Sequence, residues 1–279
     1  MVTSPTAPRL VRKARIASLA TYVPPKVLTN ADLEKMVETT DEWILQRTGI
    51  RERHIADPGM ATSDLATMAG REAIKRAGLT PDDIDVIIVG TVTPDMLFPS
   101  TACLVQAKLG ASKAWGFDLS AACSAFTYAL TVGNTIVASG GATHALVIGA
   151  DVMSSIIDYT DRTTCVIFGD GAGAAVVEAS DDENIGIIDF LNYVDGGGGP
   201  ALCMPAGGSR QPASHDTVEQ RLHRREVRGG RFRPVVPAGE AQVLQLPEDV
   251  HGEQALRVRE PTRRTWPACC TLPIRQRVL

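Results

Sequence analysis

Cys123 is the residue whose type and setting in this sequence could most readily do chemistry. It follows a short apolar segment that ends at Asp118, and it opens a helical pattern that runs to about Ser139. A thiol at a helix N-terminus lies near unpaired N–H groups and the positive end of the helix dipole, which favour an anion. The pattern therefore predicts a thiolate nucleophile, with small neighbours that leave room for a substrate. The alternative is a small buried apolar residue, as many cysteines are.

The helix that follows Cys123 is apolar on every side, as residues 125–137 show. Such a helix belongs in a protein interior, so we expect Cys123 at the head of a buried helix that a substrate reaches through a tunnel. An apolar setting raises the pKa of a thiol, whereas a helix N-terminus lowers it. The sequence leaves open which effect is larger.

Buried strands alternate with helices along the first two thirds of the chain, which predicts an α/β fold with helices on both faces of a sheet. Asn30, Thr40, Thr62 or Ser63, and Ser100 are expected near helix starts. The expected strands are Arg15–Val23, Val86–Val89, Trp115–Asp118, His144–Ala150, Val166–Phe168, Ala174–Val177 and Ile185–Tyr193. Residues 196–199 are expected to form a mobile glycine loop.

The glycine-rich run Gly169–Ala174 has two interpretations. Such a run cradles phosphate when it joins a strand to a helix N-terminus. Here apolar, strand-like residues stand on both sides, which favours a turn or a close backbone approach within a sheet.

Composition narrows the class of protein. The chain has 279 residues, of which 44% are hydrophobic, and a net charge of −4. The length permits one large domain or two modest ones, and the charge argues against a nucleic-acid-binding surface. The sequence has no apolar run long enough to span a bilayer and no secretory signal, and its six cysteines lack metal-ligand spacing. We therefore expect a reduced, cytoplasmic enzyme.

Several stretches together resemble the β-ketoacyl-acyl carrier protein synthase III family, in family order and spacing over residues 14–223. They are Thr40–Ile44, Arg47–Arg53, Phe98–Ser100, Asp118–Phe126 and Phe168–Ala174. The resemblance implies a thiolase-like fold, in which two similar halves stack in α-β-α-β-α layers, and a homodimer. Residues 14–182 would form the first half and residues 183–223 the start of the second, after a flexible tail at 1–13.

The resemblance also assigns roles. Cys123 would accept the acyl group, and Trp43 and Arg162 would hold the adenine of coenzyme A, with Arg47 and Thr48 in the same binding stretch. Alternatively, Trp43 is a core residue and the arginines are solvated charges. Phe98 would reach across the dimer and limit the acyl pocket, and the neighbouring Met96 and Leu97 would tune the acyl chain length.

The implied reaction has two halves and needs no metal or redox cofactor. An acyl-coenzyme A first acylates Cys123, and malonyl-acyl carrier protein then loses carbon dioxide and attacks the thioester. The family stabilises the malonyl oxygen with a His, in a His-Gln-Ala-Asn motif, and an Asn. None of the five histidines of this chain stands in that motif, and the nearest by position is His251.

Residues 224–279 lack any clear period and are interrupted by prolines. Glu260–Trp266 can be encoded so that a shifted frame gives Ala-His-Gln-Ala-Asn-Leu, which leads to the hypothesis of a frameshift near Arg224. The 279-residue product is then expected to fold poorly and to lack efficient decarboxylation. The alternatives are a related acyl-transferring synthase of secondary metabolism, a non-catalytic remnant that binds acyl carrier protein, and a small-molecule module that uses the glycine run.

Overall fold

The computed structural model describes residues 13–182, 184–190, 192, 194, 196–224 and 226–227. Its strands are β1 (Ala14–Tyr22), β2 (Lys26–Thr29), β3 (Glu52–Ile55), β4 (Val86–Gly90), β5 (Trp115–Leu119), β6 (His144–Val152), β7 (Asp170–Ala179), β8 (Leu202–Cys203) and β9 (Glu226–Val227). Its helices are α1 (Asn30–Glu34), α2 (Asp41–Thr48), α3 (Thr62–Arg76), α4 (Thr101–Leu109), α5 (Ala125–Ala138) and α6 (His215–Glu219).

A five-stranded mixed sheet of order β1-β7-β6-β4-β5 forms the centre of the described residues. Strand β4 runs parallel to β5 and β6 on either side, whereas β7 is antiparallel to both β6 and β1. All five residues of β4 are buried, which explains its unbroken apolar sequence. The predicted α/β class is confirmed.

Helices cover both faces of this sheet. Leu65 of α3 and Val105 of α4 lie in one apolar cluster, and Leu130 and Val137 of α5 lie in another on the opposite face. Residues 14–179 thus form three layers, helix, sheet and helix.

The short elements β8, α6 and β9 follow, and the predicted domain boundaries stay predictions. Residues 1–12 and most of the aberrant tail predicted at 224–279 lie outside the described residues.

Some predicted elements are wrong. Val166 lies in a turn rather than a strand, because the Cys165 N–H donates to the Asp161 carbonyl and the Ile167 N–H donates to the Thr164 carbonyl, each at 3.1 Å. The described residues between 185 and 190 form no strand, although the Ile187 N–H donates to the Ala14 carbonyl at 2.8 Å. The glycines at 196–199 lie in a 3-10 helix, Gly196–Ala201, instead of a loop, and their mobility stays a prediction.

Helix starts also shift by a residue at two positions. Thr29 rather than Asn30 caps α1, because the Thr29 hydroxyl and the Asp32 carboxylate bond reciprocally to the two backbone N–H groups. Helix α3 begins after Ala61, with the carboxylate of Asp64 accepting from the Ala61 N–H at 2.9 Å. The caps predicted at Thr40 and Ser100 are confirmed. Over the described ranges, no helix combines the length and the apolarity that crossing a membrane requires.

Candidate active site

The sharp connection between β5 and α5 carries Cys123. It is a 3-10 turn, Ala122–Ser124, and the α-helix begins only at Ala125. Ala122 has a φ of 47°, in the left-handed region that residues with a side chain rarely adopt. Cys123 is exposed, so the expectation of an interior thiol at the end of a tunnel is wrong for the described residues. They cover only the inner side of α5.

Two close approaches fix the position of this turn at the carboxyl ends of β4 and β5. A Cβ on Gly90 would lie 2.8 Å from the Ala125 carbonyl carbon, so only glycine lets the head of α5 approach the end of β4 this closely. The Asp118 carboxylate, near the end of β5, accepts from the backbone N–H groups of Thr101 and Ala102 at 2.6 and 2.8 Å. The strand that leads to Cys123 is thereby tied to the start of α4.

The electrostatics at the head of α5 suit an anion. The first turn of α5 holds no acidic side chain, and the Ser124 side chain makes no capping hydrogen bond. The first N–H groups of a helix lack intrahelical acceptors and mark the positive end of its dipole.

Cys165 contrasts with this setting. It is buried, and burial, followed by the nearby Asp161 carboxylate, raises the pKa of its thiol. Cys165 is therefore the protonated, apolar kind of cysteine.

The structure brings Trp43, Arg47 and Arg162 together. The Arg47 Cζ lies 5.4 Å from the centroid of the Trp43 ring, and the Arg162 Cζ lies 5.1 Å from it. A guanidinium at this distance from an indole is attracted to it and offers a planar surface for stacking. The side chain of Arg162 also donates to the Glu38 carbonyl at 2.7 Å. We call these three residues the tryptophan clamp.

Thr48 and Phe98 have different surroundings. The Thr48 hydroxyl donates to the Ile44 carbonyl at 2.8 Å and accepts from the Ile50 N–H at 3.0 Å, so it closes the end of α2 beside the clamp. Phe98 precedes a cis peptide bond to Pro99 and is 82% exposed; its neighbour Leu97 is 86% exposed. These two exposed side chains form an apolar projection from the chain.

Sequence reasoning missed the polar network beneath the clamp. Arg53 is 3% exposed and Asn30 is 2% exposed, and the Arg53 guanidinium donates to the Asn30 amide oxygen. The only sequence signal for Arg53 was its place in the motif Arg47–Arg53. Its main partner, Val166, is 113 positions away.

The comparisons with known proteins agree on one family. A sequence model of 3-oxoacyl-[acyl-carrier-protein (ACP)] synthase III matches residues 117–196, which include Cys123 and Arg162. The β-ketoacyl-[acyl-carrier-protein] synthase III of Desulfitobacterium hafniense (strain Y51) is 45% identical over 242 residues, which cover 87% of this chain and 70% of that protein. This chain belongs to the synthase III family.

Another member of the synthase III family, from Solibacter usitatus (strain Ellin6076), is 62% identical over 213 residues, or 76% of this chain and 64% of that protein. Among solved structures, the priming β-ketosynthase of the R1128 polyketide pathway matches with a TM-score of 0.71 at 36% identity, covering 79% of this chain and 64% of that one. The predicted thiolase-like fold is confirmed. This chain spans less than two thirds of the length of each of these two relatives.

Proposed function

We propose that this chain carries the acyl-loading site of a β-ketoacyl-[acyl-carrier-protein] synthase III. The Cys123 thiolate attacks the carbonyl carbon of an acyl-coenzyme A. The sulfur–carbon bond of the Cys123 thioester forms, the bond to the coenzyme sulfur breaks, and coenzyme A leaves as its thiolate. The observation that carries the proposal is the exposed Cys123, which lies on a sharp turn at the start of α5. The first turn of that helix has no acidic side chain.

The tryptophan clamp is the proposed binding site for the coenzyme. Adenine is a flat, electron-rich ring system that stacks against an indole and a guanidinium. Arg47 adds positive charge for the coenzyme phosphates, and Thr48 fixes the end of the helix that carries Arg47. Phe98 is the proposed boundary of the acyl pocket, contributed to the partner copy of a homodimer.

The exposed apolar surface supports the homodimer. Besides Phe98 and Leu97, Trp115 is 53% exposed and begins β5, one of the two edge strands of the five-stranded sheet. An exposed edge strand with large apolar side chains is suited to pairing with another chain.

The second half of the proposed reaction is the condensation with malonyl-acyl carrier protein. Loss of carbon dioxide leaves an enolate that attacks the Cys123 thioester and releases the thiolate. The enolate oxygen needs hydrogen-bond donors, and the sequence lacks the His-Gln-Ala-Asn motif of the family. We therefore propose that this chain loads acyl groups but condenses them poorly. We place the reaction in the cytoplasm, with no metal or redox cofactor.

Intact-mass spectrometry after mixing with acetyl-coenzyme A tests the loading step. We expect one added acetyl group on the wild-type chain and none on Cys123→Ser. Cys103→Ser is the matched control, because Cys103 is also exposed but lies on α4, and it should label as the wild type does. Equal labelling of the Cys123→Ser variant would overturn the proposal.

A priming synthase of polyketide synthesis is the second candidate, favoured by the structural match to such an enzyme. The two candidates share the cysteine and the fold and differ in the acyl group and the acceptor that they use. The rates at which acetyl-coenzyme A and longer acyl-coenzyme A donors load Cys123 separate the two candidates. The two kinds of synthase are expected to prefer different acyl groups.

A further inference from the structure

Arg53 joins the two segments of chain that form the tryptophan clamp. It lies in the short strand β3, is 3% exposed, and its Nε donates to the Val166 carbonyl at 3.1 Å. One terminal nitrogen donates to the same carbonyl and the other to the Asn30 amide oxygen. These acceptors are neutral oxygens, and burial lowers the pKa of the guanidinium. Burying a charge without a carboxylate acceptor costs free energy, so the buried position of Arg53 calls for a physical reason.

On one side, Arg53 holds helix α2 through Asn30. The Asn30 amide nitrogen donates to the Asp41 carboxylate at 2.6 Å and to the Ile50 carbonyl at 3.0 Å. Asp41 is the first residue of α2 and Ile50 lies just beyond its end. One amide therefore fixes both ends of the helix that carries Trp43 and Arg47.

On the other side, Arg53 holds the turn that carries Arg162. The Asp161 carboxylate accepts from the Thr163 N–H at 2.9 Å, and the Asp161 carbonyl accepts from the Cys165 N–H at 3.1 Å. Val166 follows directly, and its side chain packs in the same apolar cluster as Ile44 of α2. The Val166 carbonyl thus anchors the end of the turn that carries Arg162.

We propose that Arg53 is a positioning residue that sets where the Arg162 guanidinium stands relative to the Trp43 ring, and through that arrangement the affinity for the adenine end of the coenzyme. This inference rests on the proposed function. Arg53 itself touches neither reacting atoms nor coenzyme. A residue that only supported the fold would affect every acyl donor alike, whereas a residue that sets the clamp affects only donors that carry adenine.

The test compares two acyl donors in single-turnover acylation of Cys123 by the full chain. Acetyl-coenzyme A carries adenine, and acetyl-pantetheine has the same reactive thioester without the nucleotide. We expect Arg53→Met to lower the acylation efficiency with acetyl-coenzyme A about tenfold or more, since about 1.4 kcal/mol of lost interaction is a factor of ten and charge-assisted hydrogen bonds exceed it. With acetyl-pantetheine, the variant should stay within about twofold of the wild type.

Three further variants sharpen the test. Arg53→Lys keeps the charge but lacks the fork that reaches two acceptors, so it should restore part of the selectivity. Asn30→Asp keeps an acceptor for Arg53 but removes the donor to Asp41, so it should reproduce the selective loss even if Arg53→Met does not fold. Asp85→Asn is the control, because Asp85 binds the Thr143 and His144 N–H groups, away from the clamp. It should not change the ratio between the two donors.

Equal losses with both donors, or no loss with either in both Arg53→Met and Asn30→Asp, would overturn the positioning role. A wild type that is acylated equally well by both donors would overturn the clamp and this inference while leaving Cys123 as the nucleophile. A wild type that neither donor acylates would overturn the proposed function, and the inference with it.

Discussion

The helices on the two faces of the central sheet differ in how much of themselves they bury. Helix α3 buries nine of its 15 residues. Helix α5 buries six of 14, although its sequence is the more apolar of the two. The apolar side chains Phe126, Val132 and Ile136 remain half-buried on α5. Helix α5 therefore carries more apolar surface than the described residues cover, as a helix between two halves of a thiolase-like fold would.

This difference explains the setting of Cys123. The inner side of α5 is fixed against the sheet, which places the turn that precedes it. The outer side determines how deeply the thiol is buried, because that side would face the second half of the fold. Position and burial of the nucleophile are thus set by different parts of the family's fold, and each can be tested separately.

The largest effect is expected at the contact between β4 and the head of α5. Gly90→Ala would place a methyl group 2.8 Å from the Ala125 carbonyl carbon, and backbone atoms there cannot move independently. We expect a loss of about 3 kcal/mol in the free energy of unfolding, because overpacking forces the backbone to shift. The acylation rate of Cys123 should fall as well, since Ala125 is two residues away. Urea denaturation and intact-mass kinetics measure the two effects.

Gly173→Ala is the matched control for that substitution. Gly173 lies in β7, and nothing stands within 4 Å of the position that its Cβ would take. An alanine in a strand interior loses less chain entropy than a glycine, so we expect unchanged or slightly higher stability. A Gly90→Ala variant as stable as Gly173→Ala would show that the head of α5 is not held by this contact.

A second prediction compares the two sides of α5 with one chemical change. Val137 is 1% exposed and Val132 is half-buried on the same helix. We expect Val137→Ala to cost about 2 kcal/mol of unfolding free energy and Val132→Ala less than about 1 kcal/mol, from the buried methyl groups and the cavity. Helix propensity changes equally in both. Equal costs in chemical denaturation would mean that the outer side of α5 is covered after all.

The same contrast shows what the sequence could predict. Continuous apolar runs identified β4 and β6, and the hydroxyls of Thr40 and Ser100 marked helix starts, because these signals are local. The family resemblance grouped Trp43, Arg47 and Arg162, whose side chains lie together in the structure, and their role stays a prediction. The predicted burial of Cys123 is wrong for the described residues, because the apolar sequence of a helix shows which side chains favour burial and does not show which residues surround them. The Arg53–Val166 bond was missed because it joins residues 113 positions apart, which leaves no local pattern.

The smallest predicted effect is that of low pH on the stability of the first turns of helices α3 and α5. Burial raises the pKa of the Asp64 carboxyl, but the Ala61 N–H and the Lys108 ammonium outweigh it, so the pKa lies below its ordinary value. A carboxyl whose pKa is lowered by folding stabilises the protein above its unfolded-state pKa of about 3.9 and loses that contribution as the pH falls through the folded-state pKa. Helix α5 has no acid in its first turn.

We therefore expect acid to weaken the start of α3 and not that of α5. Asp64→Asn keeps an acceptor for the Ala61 N–H but removes the charge, so it should cost about 0.5 kcal/mol near neutral pH, and this cost should shrink as the pH falls through the folded-state pKa. Urea denaturation between pH 5 and pH 2.5 measures this, with Asp181→Asn as the control, because Asp181 is an exposed acid outside any helix. A difference between wild type and Asp64→Asn that stays constant down to pH 2.5 would show that the Asp64 charge contributes nothing to holding α3. The contrast between the two helix starts would then rest on burial alone.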